Sequence, residues 1–207
     1  YEVCDADVGL IQGWVHEGSK TGLHLDLRNR VIESQLLKRK YVIAVDSNLF
    51  LYKNPTNPGN YLRYSFNGIF PTTGIYCDND INPERWIKIK NNLNLELKDY
   101  RTNGSHILLC LQRNGGWSMG NYDVQQWAID TIFELRKHTD RRIVVRCHPG
   151  DKKTQLALHP RSPTCRLKGL NNINISFGDK TLEQDLHKAW AVVNYNSSPS
   201  VGSAIEG

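Results

Sequence analysis

Two stretches in the second half of the chain end in side chains suited to holding an anion. Residues 142–150 run Arg142-Ile-Val-Val-Arg146-Cys-His148-Pro149-Gly150, and residues 191–200 run Ala191-Val-Val-Asn-Tyr-Asn196-Ser197-Ser198-Pro199-Ser200. Each reads as a short apolar strand that stops in small or polar residues and hands over to a helix. In an open α/β sheet, ligands sit beyond the carboxyl ends of the strands, where helix N-termini direct their unpaired N–H groups. Ser198 has the residue type of a helix N-cap, and Pro199 suits the first helical position, where the missing N–H is not needed. Ser200 and Ser203 add hydroxyls to that helix's first turns. A third turn follows His106–Gln112 and carries Arg113, Asn114, Gly115, Gly116 and Trp117, whose glycines allow close approach of backbone N–H groups to a phosphate. His148 can donate a hydrogen bond to phosphate or ribose, carrying charge near neutral pH when an anion sits beside it. Arg146, Lys152 and Lys153 can add positive charge. Plainer readings stand beside these: Ser197-Ser198 as a cap only, His148 as a turn-stabilising side chain, and Gly115-Gly116 as a tight turn.

The elements that must position these turns alternate between strand and helix. Residues 7–14, 41–45, 106–112, 142–147, 174–177 and 191–195 read as strands. Apolar spacing of 3.6 residues predicts a helix through Leu27, Val31, Ile32 and Leu36, capped by Asp26. The same spacing predicts helices through Trp86, Ile87 and Ile89, through Val124, Trp127, Ala128, Ile132 and Leu135, over 151–158, and from Thr181 through Trp190. Residues 52–83, rich in Asn, Pro, Gly and Tyr, read mostly as loop. The polar crossover 91–103 marks the expected boundary between domains 1–100 and 101–207. The fold class is α/β: Rossmann-like parallel sheets with helices on both faces. The chain ends at Gly207 where a helix is getting under way, so a fragment with an incomplete C-terminal domain is expected.

The 207 residues carry 26 basic and 21 acidic side chains, a net charge of +5. That excess permits phosphate-bearing partners without requiring nucleic acid. Cys4, Cys77, Cys110, Cys147 and Cys165 form no Cys-x-x-Cys pair, and Cys110 and Cys147 fall within apolar strands. Buried thiols in a reducing, cytoplasmic compartment are expected. No apolar run approaches the roughly 18 residues of a membrane span. Neither a Gly-x-x-x-x-Gly-Lys-Ser/Thr phosphate loop nor a Gly-x-Gly-x-x-Gly dinucleotide turn occurs. His16, His24 and His106 lack metal-ligand spacing, and no metal site is expected.

The order of an acidic-Gly element, a His-Pro turn and a Ser-Ser turn resembles the bacterial sialyltransferases and the capsule-polysaccharide transferases, over roughly residues 105–207. Residues 112–119 and 147–153 are also similar to sugar-transferase-like proteins of phage and marine microbial genomes. The resemblance implies a two-lobed, metal-independent GT-B glycosyltransferase. Residues 1–100 would form the acceptor-side lobe and 101–207 the lobe that binds the nucleotide sugar. It implies that Glu17 before Gly18 is the general base, with Asp26 and His16 behind it. His148-Pro149 and Ser197-Ser198 would hold the donor phosphate, the loop from Arg113 would face the donor, and Glu206 would bind a ribose. Glu206 reads equally well as an ordinary helix residue. Trp117, set between Gly and Ser, is a candidate sugar platform. The donor is a CMP- or UDP-linked sugar used as co-substrate without a further cofactor, and the acceptor is a glycan or, in a phage setting, DNA. Two other classes remain: a nucleotide-sugar epimerase of the same architecture, and a non-catalytic module binding nucleic acid or glycan.

Overall fold

The computed structural model describes residues 2–15, 22–69, 73–76, 79, 82–115, 119 and 122–207. The chain divides into two compact units, Tyr1–Leu95 and Glu96–Gly207.

The second unit is built around a strand with no polar side to spare. β4 (His106–Cys110) is buried at every residue, as expected of a central parallel strand covered on both faces. On one side it pairs with β5 (Arg142–Arg146), which pairs in turn with β6 (Ile173–Ser176); on the other side it pairs with β7 (Ala189–Asn194). All three pairings are parallel, giving the strand order β6-β5-β4-β7. Side chains alternate across a sheet, so β4 feeds two cores. Ile107 and Leu109 pack with Val124, Ala128 and Ile132 of α3 (Val124–Arg136) and with Leu158 of α4 (Lys152–Leu158). Leu108 and Cys110 pack on the other face with Leu182 and Leu186 of α5 (Leu182–Leu186). Helices therefore cover both faces of a parallel sheet, the Rossmann-like arrangement that the alternating pattern predicts. α6 (Pro199–Glu206) follows β7. The segment before β4 runs alongside it: Lys98 N–H donates to Ile205 O and Arg101 N–H to Gly207 O.

The expected helix through Trp190 is shorter than its spacing suggests. α5 stops at Leu186, and Trp190 lies on β7. Gly104 lies against Trp190, where a Cβ would fall 2.5 Å from the Trp190 Cα. The chain leading into β4 is pressed against β7 at that point.

The first unit begins as predicted, with β1 (Val8–Gln12), α1 (Leu23–Leu37) and β2 (Tyr41–Asn48), and β1 pairs with β2 in parallel. Two expectations fail here. Residues 52–83 contain a regular strand, β3 (Leu62–Phe66), and it pairs antiparallel to β2. No helix crosses between β2 and β3; they are joined by the turns of residues 49–61, and parallel pairing needs a longer crossover. The sheet of this unit is thus mixed, not parallel throughout. Asp26 is not the cap of α1 either: the helix starts earlier, with Gly22 at the N-cap, and Asp26 lies exposed in its first turn. α2 (Glu84–Asn92) closes the unit, its Trp86 stacked on Phe50.

Among the described residues, no helix is long and apolar enough to cross a membrane.

Candidate functional site

The strand order places three loops side by side. From β4 the chain moves outward to β5 and β6, then returns across the sheet to β7 on the far side of β4. That reversal is a topological switch point, and the crevice it opens lies between the carboxyl ends of β4 and β7. Cys110 is level with Arg146 on one side and with Asn194 on the other. Beyond that level stand Arg113-Asn114-Gly115 after β4, His148-Pro149-Gly150 after β5, and Asn196-Ser197-Ser198 after β7. The His-Pro and Ser-Ser turns flank the central strand, two strand spacings or roughly 10 Å apart.

The mouth of the crevice is held by amides. Gln112 Nε2 donates to Asn196 Oδ1 across it, and Ser197 N–H donates to Asn194 Oδ1 at 2.9 Å. Trp127 and Tyr195 meet edge to face, with ring centroids 5.9 Å apart. Gln112 and Asn194 border the candidate site, and sequence reasoning missed them. Their signal was their position, as polar residues closing two apolar strands.

After β7, Ser198 occupies the N-cap position of α6 and Pro199 the first turn, as predicted. The Ser198 side chain makes no capping bond, because its own backbone is already helical, at φ −58° and ψ −22°. Among the described residues, neither the Ser197 nor the Ser198 hydroxyl has a hydrogen-bond partner, and both are half-buried. Ser200 and Ser203 differ: their hydroxyls bond back to Ser197 O and Ser200 O within the helix.

After β5, the His148 ring is half-buried and its Nδ1 accepts the Gly150 N–H at 3.1 Å. That bond fixes the neutral tautomer, with the proton on Nε2. Burial pushes the imidazole below its ordinary value and Arg113 adds to the effect, while Asp151 opposes it. Without a bound anion, His148 is therefore neutral at pH 7, with Nε2–H as its donor. Pro149 and Gly150 are exposed and complete the turn.

After β4, Asn114 is tied on both sides. Its N–H donates to Asp151 Oδ2 at 2.7 Å, its Oδ1 accepts from Val124 N–H at 3.3 Å, and its Nδ2 donates to Asp123 Oδ2 at 3.4 Å. Asn114 is thus a support, and the loop exposes Arg113 and Gly115. Gly115 has φ +66°, a conformation that favours glycine, and nothing lies within 4 Å of where a side chain would sit. Its backbone is open to approach. Gly116 and Trp117 lie outside the described residues.

Two expected donor contacts, Arg146 to the phosphate and Glu206 to a ribose, are engaged elsewhere. Arg146 points to the α5 face, where its Nη1 donates to the Asp185 carboxylate and to Lys180 O at 3.0 Å. The Asp185 side chain is buried at 4% exposure and that of Arg146 is largely covered at 11%, and Asp185 also accepts from Ser176 Oγ at 2.7 Å. Alternation on β5 explains this, since Arg146 shares its face with Val144 and not with Ile143 and Val145. Glu206 ends α6, about 10 Å along the axis from Pro199, and bonds to Lys98 Nζ at 2.6 Å. It is remote from the helix N-terminus. Lys152 and Lys153 are exposed at the start of α4.

The acidic candidates of the first unit give less. His16 and Glu17 lie outside the described residues, and Asp26 is exposed on α1. The sequence contains two Asp-x-Asp triplets, a spacing that metal-dependent sugar transferases use. Asp5 of the first is paired with Lys38 at 2.7 Å and Lys40 at 3.2 Å, and Asp7 lies 3.7 Å from Lys40. In the second triplet, Asp78 and Asp80 lie outside the described residues. Among the described residues no cluster of His, Cys, Asp or Glu could hold a metal ion. The thiols of Cys110 and Cys147 are pushed up to about 12 by burial, which leaves them as packing groups and not nucleophiles.

The chain matches no protein-family model, and no curated protein is significantly similar to it.

Proposed function

We propose that the chain is a nucleotide-sugar-dependent glycosyltransferase of the GT-B type, and that residues 96–207 bind its donor. The observation that carries the donor site is the switch-point crevice. It is flanked by a neutral histidine with Nε2–H to give and by two serine hydroxyls without partners at the start of a helix. These are donors for an anion, and the described residues place no unengaged carboxylate among them. A phosphate fits this set: His148, the Ser197 and Ser198 hydroxyls and the α6 N-terminus would neutralise the charge growing on the leaving nucleotide. The transfer step itself rests on the resemblance of the three motifs to sialyl- and capsule-polysaccharide transferases. In that step a base takes the proton of an acceptor hydroxyl, whose oxygen attacks the anomeric carbon as the bond from that carbon to the nucleotide's phosphate oxygen breaks. Glu17 is the base this reading favours, with His16 and Asp26 behind it. The acceptor is a glycan or DNA.

The test is calorimetric titration with CMP, CDP, UDP, ADP and GDP at low salt, on the wild type and on the double variant His148→Ala, Ser198→Ala. Binding of a cytidine or uridine nucleotide that the double variant loses is the expected result. A folded wild-type protein that binds none of the five removes this reading. Nucleotide binding with isomerisation of the bound sugar and no need for an acceptor would identify an epimerase instead.

A further inference from the structure

Asp151 is one of the few buried acidic residues of the second unit, at 7% exposure, and both of its carboxylate oxygens are in use. Oδ1 accepts the Thr154 N–H at 3.0 Å, an ordinary N-cap bond for α4. Oδ2 accepts the Thr154 hydroxyl at 2.7 Å and, from another loop, the Asn114 N–H at 2.7 Å. The Asp151 N–H meanwhile donates to His148 O at 3.0 Å, closing the His-Pro turn. A helix cap needs one oxygen and its own helix, as Thr181 shows at α5, where the hydroxyl accepts the Gln184 N–H and the Thr181 N–H donates to the Gln184 side chain, both within one helix. Asp151 does more: its backbone belongs to the turn after β5, and its side chain holds the loop after β4.

We infer that Asp151 is the positioning residue of the phosphate site, locking the His148 turn and the Arg113–Gly115 loop into one frame so that their donors meet the same anion. This rests on the donor-site reading given above. An aspartate is required because two oxygens must accept at once; asparagine supplies one acceptor and serine one shorter arm. The carboxyl is held ionised in the fold. Burial alone would raise it, but the bonds from Thr154 N–H, Asn114 N–H and the Thr154 hydroxyl outweigh that and keep it below its ordinary value. Its charge is spent on fixed internal donors, so it orients the site and touches no ligand.

The experiment separates the cap from the frame. Asp151→Ser keeps an oxygen for the Thr154 N–H and drops the bond to Asn114. Thr154→Val removes the hydroxyl and leaves the bond to Asn114 in place. Three readouts apply to each: thermal unfolding, hydrogen exchange of the Asn114 amide by NMR, and the Kd for CMP, CDP and UDP. For Asp151→Ser we expect a lowered but still cooperative unfolding transition, loss of Asn114 amide protection, and a Kd raised by about tenfold or more, as for one charge-assisted hydrogen bond. Thr154→Val should bind as the wild type does. Wild-type affinity in Asp151→Ser, or an Asn114 amide that exchanges no faster, overturns the inference while the donor site stands. A wild-type protein that binds none of the nucleotides removes the donor site and this inference with it. Should Asp151→Ser not fold, Asp151→Asn decides by the same two outcomes.

Discussion

In the second unit the central strand β4 is buried at every position, whereas in the first unit β1 alternates, leaving Val8 44% and Leu10 70% exposed. The sheets differ in what covers them. α1 packs on one face of the first sheet, with Val31 and Gln35 against Gly9. On the other face Val8, Leu10, Tyr41 and Tyr64 remain exposed, with the Arg85 guanidinium 5.0 Å from the Tyr64 ring centre. The second sheet is covered on both faces and its polar groups are locked inside, as in the Arg146–Asp185–Ser176 cluster. The first unit carries looser ion pairs such as Lys38–Asp5, whose side chains are 45% and 71% exposed. A sheet buried on both sides can hold its strand-end loops to a fixed geometry, and in this chain the candidate ligand site sits on that sheet.

The contrast can be broken most forcefully at Asp185. Asp185→Ala strands the Arg146 guanidinium in a largely covered place, and we expect a loss of about 3–5 kcal/mol in urea denaturation followed by tryptophan fluorescence. Little change would mean that the cluster is wetter than its burial indicates. A matched pair of leucines comes next. Leu109→Ala, at a fully buried position, should cost about 2–5 kcal/mol, while Leu10→Ala should stay within about 0.5 kcal/mol. A large effect at Leu10 would show that something covers that face in solution. The pH dependence of ligand binding gives a smaller and sharper effect. His148 is neutral at pH 7 when free, and an adjacent phosphate raises its pKa. Binding of CMP should therefore tighten as pH falls through the bound-state value, by about tenfold per unit of the rise. His148→Gln should lose that part of the pH profile and keep the part due to the nucleotide's own phosphate. The smallest effect is expected at Lys38→Ala, where the denaturation midpoint should not move measurably.

Much of this architecture could be read from the sequence, for identifiable reasons. Strands 106–110 and 142–146 carry unbroken apolar stretches, 107–110 and 143–145, and α3 carries a clean stripe from Val124 to Ile132. β3 was not readable because Leu62–Phe66 is flanked by Asn, Pro and Gly, and only its pairing with β2 makes it a strand. The pattern points to a helix at Trp190 because Leu182, Leu186 and Trp190 happen to repeat every four residues. Within the site, the three turns were visible as motifs, and the sheet order puts them on one edge. The partners of Arg146 were not visible, because which face of β5 it occupies is decided by sheet pairing and not by neighbours in the chain. In the sequence Asp151 shows only as a helix start, since its second bond reaches back to Asn114 across a different loop.

The reversal that opens the crevice also sets the order in which it can be made. β4 finds β5 as the next strand along the chain, but the amide bridge from Gln112 to Asn196 joins residues 84 apart in sequence. Closing so long a loop comes late, because its entropy must be lost before the contact is gained. In a refolding chain the β6-β5-β4 edge should assemble first and β7 should dock last. Competence to bind ligand should then return after the bulk of the sheet has formed, as a slower kinetic step than the recovery of secondary structure.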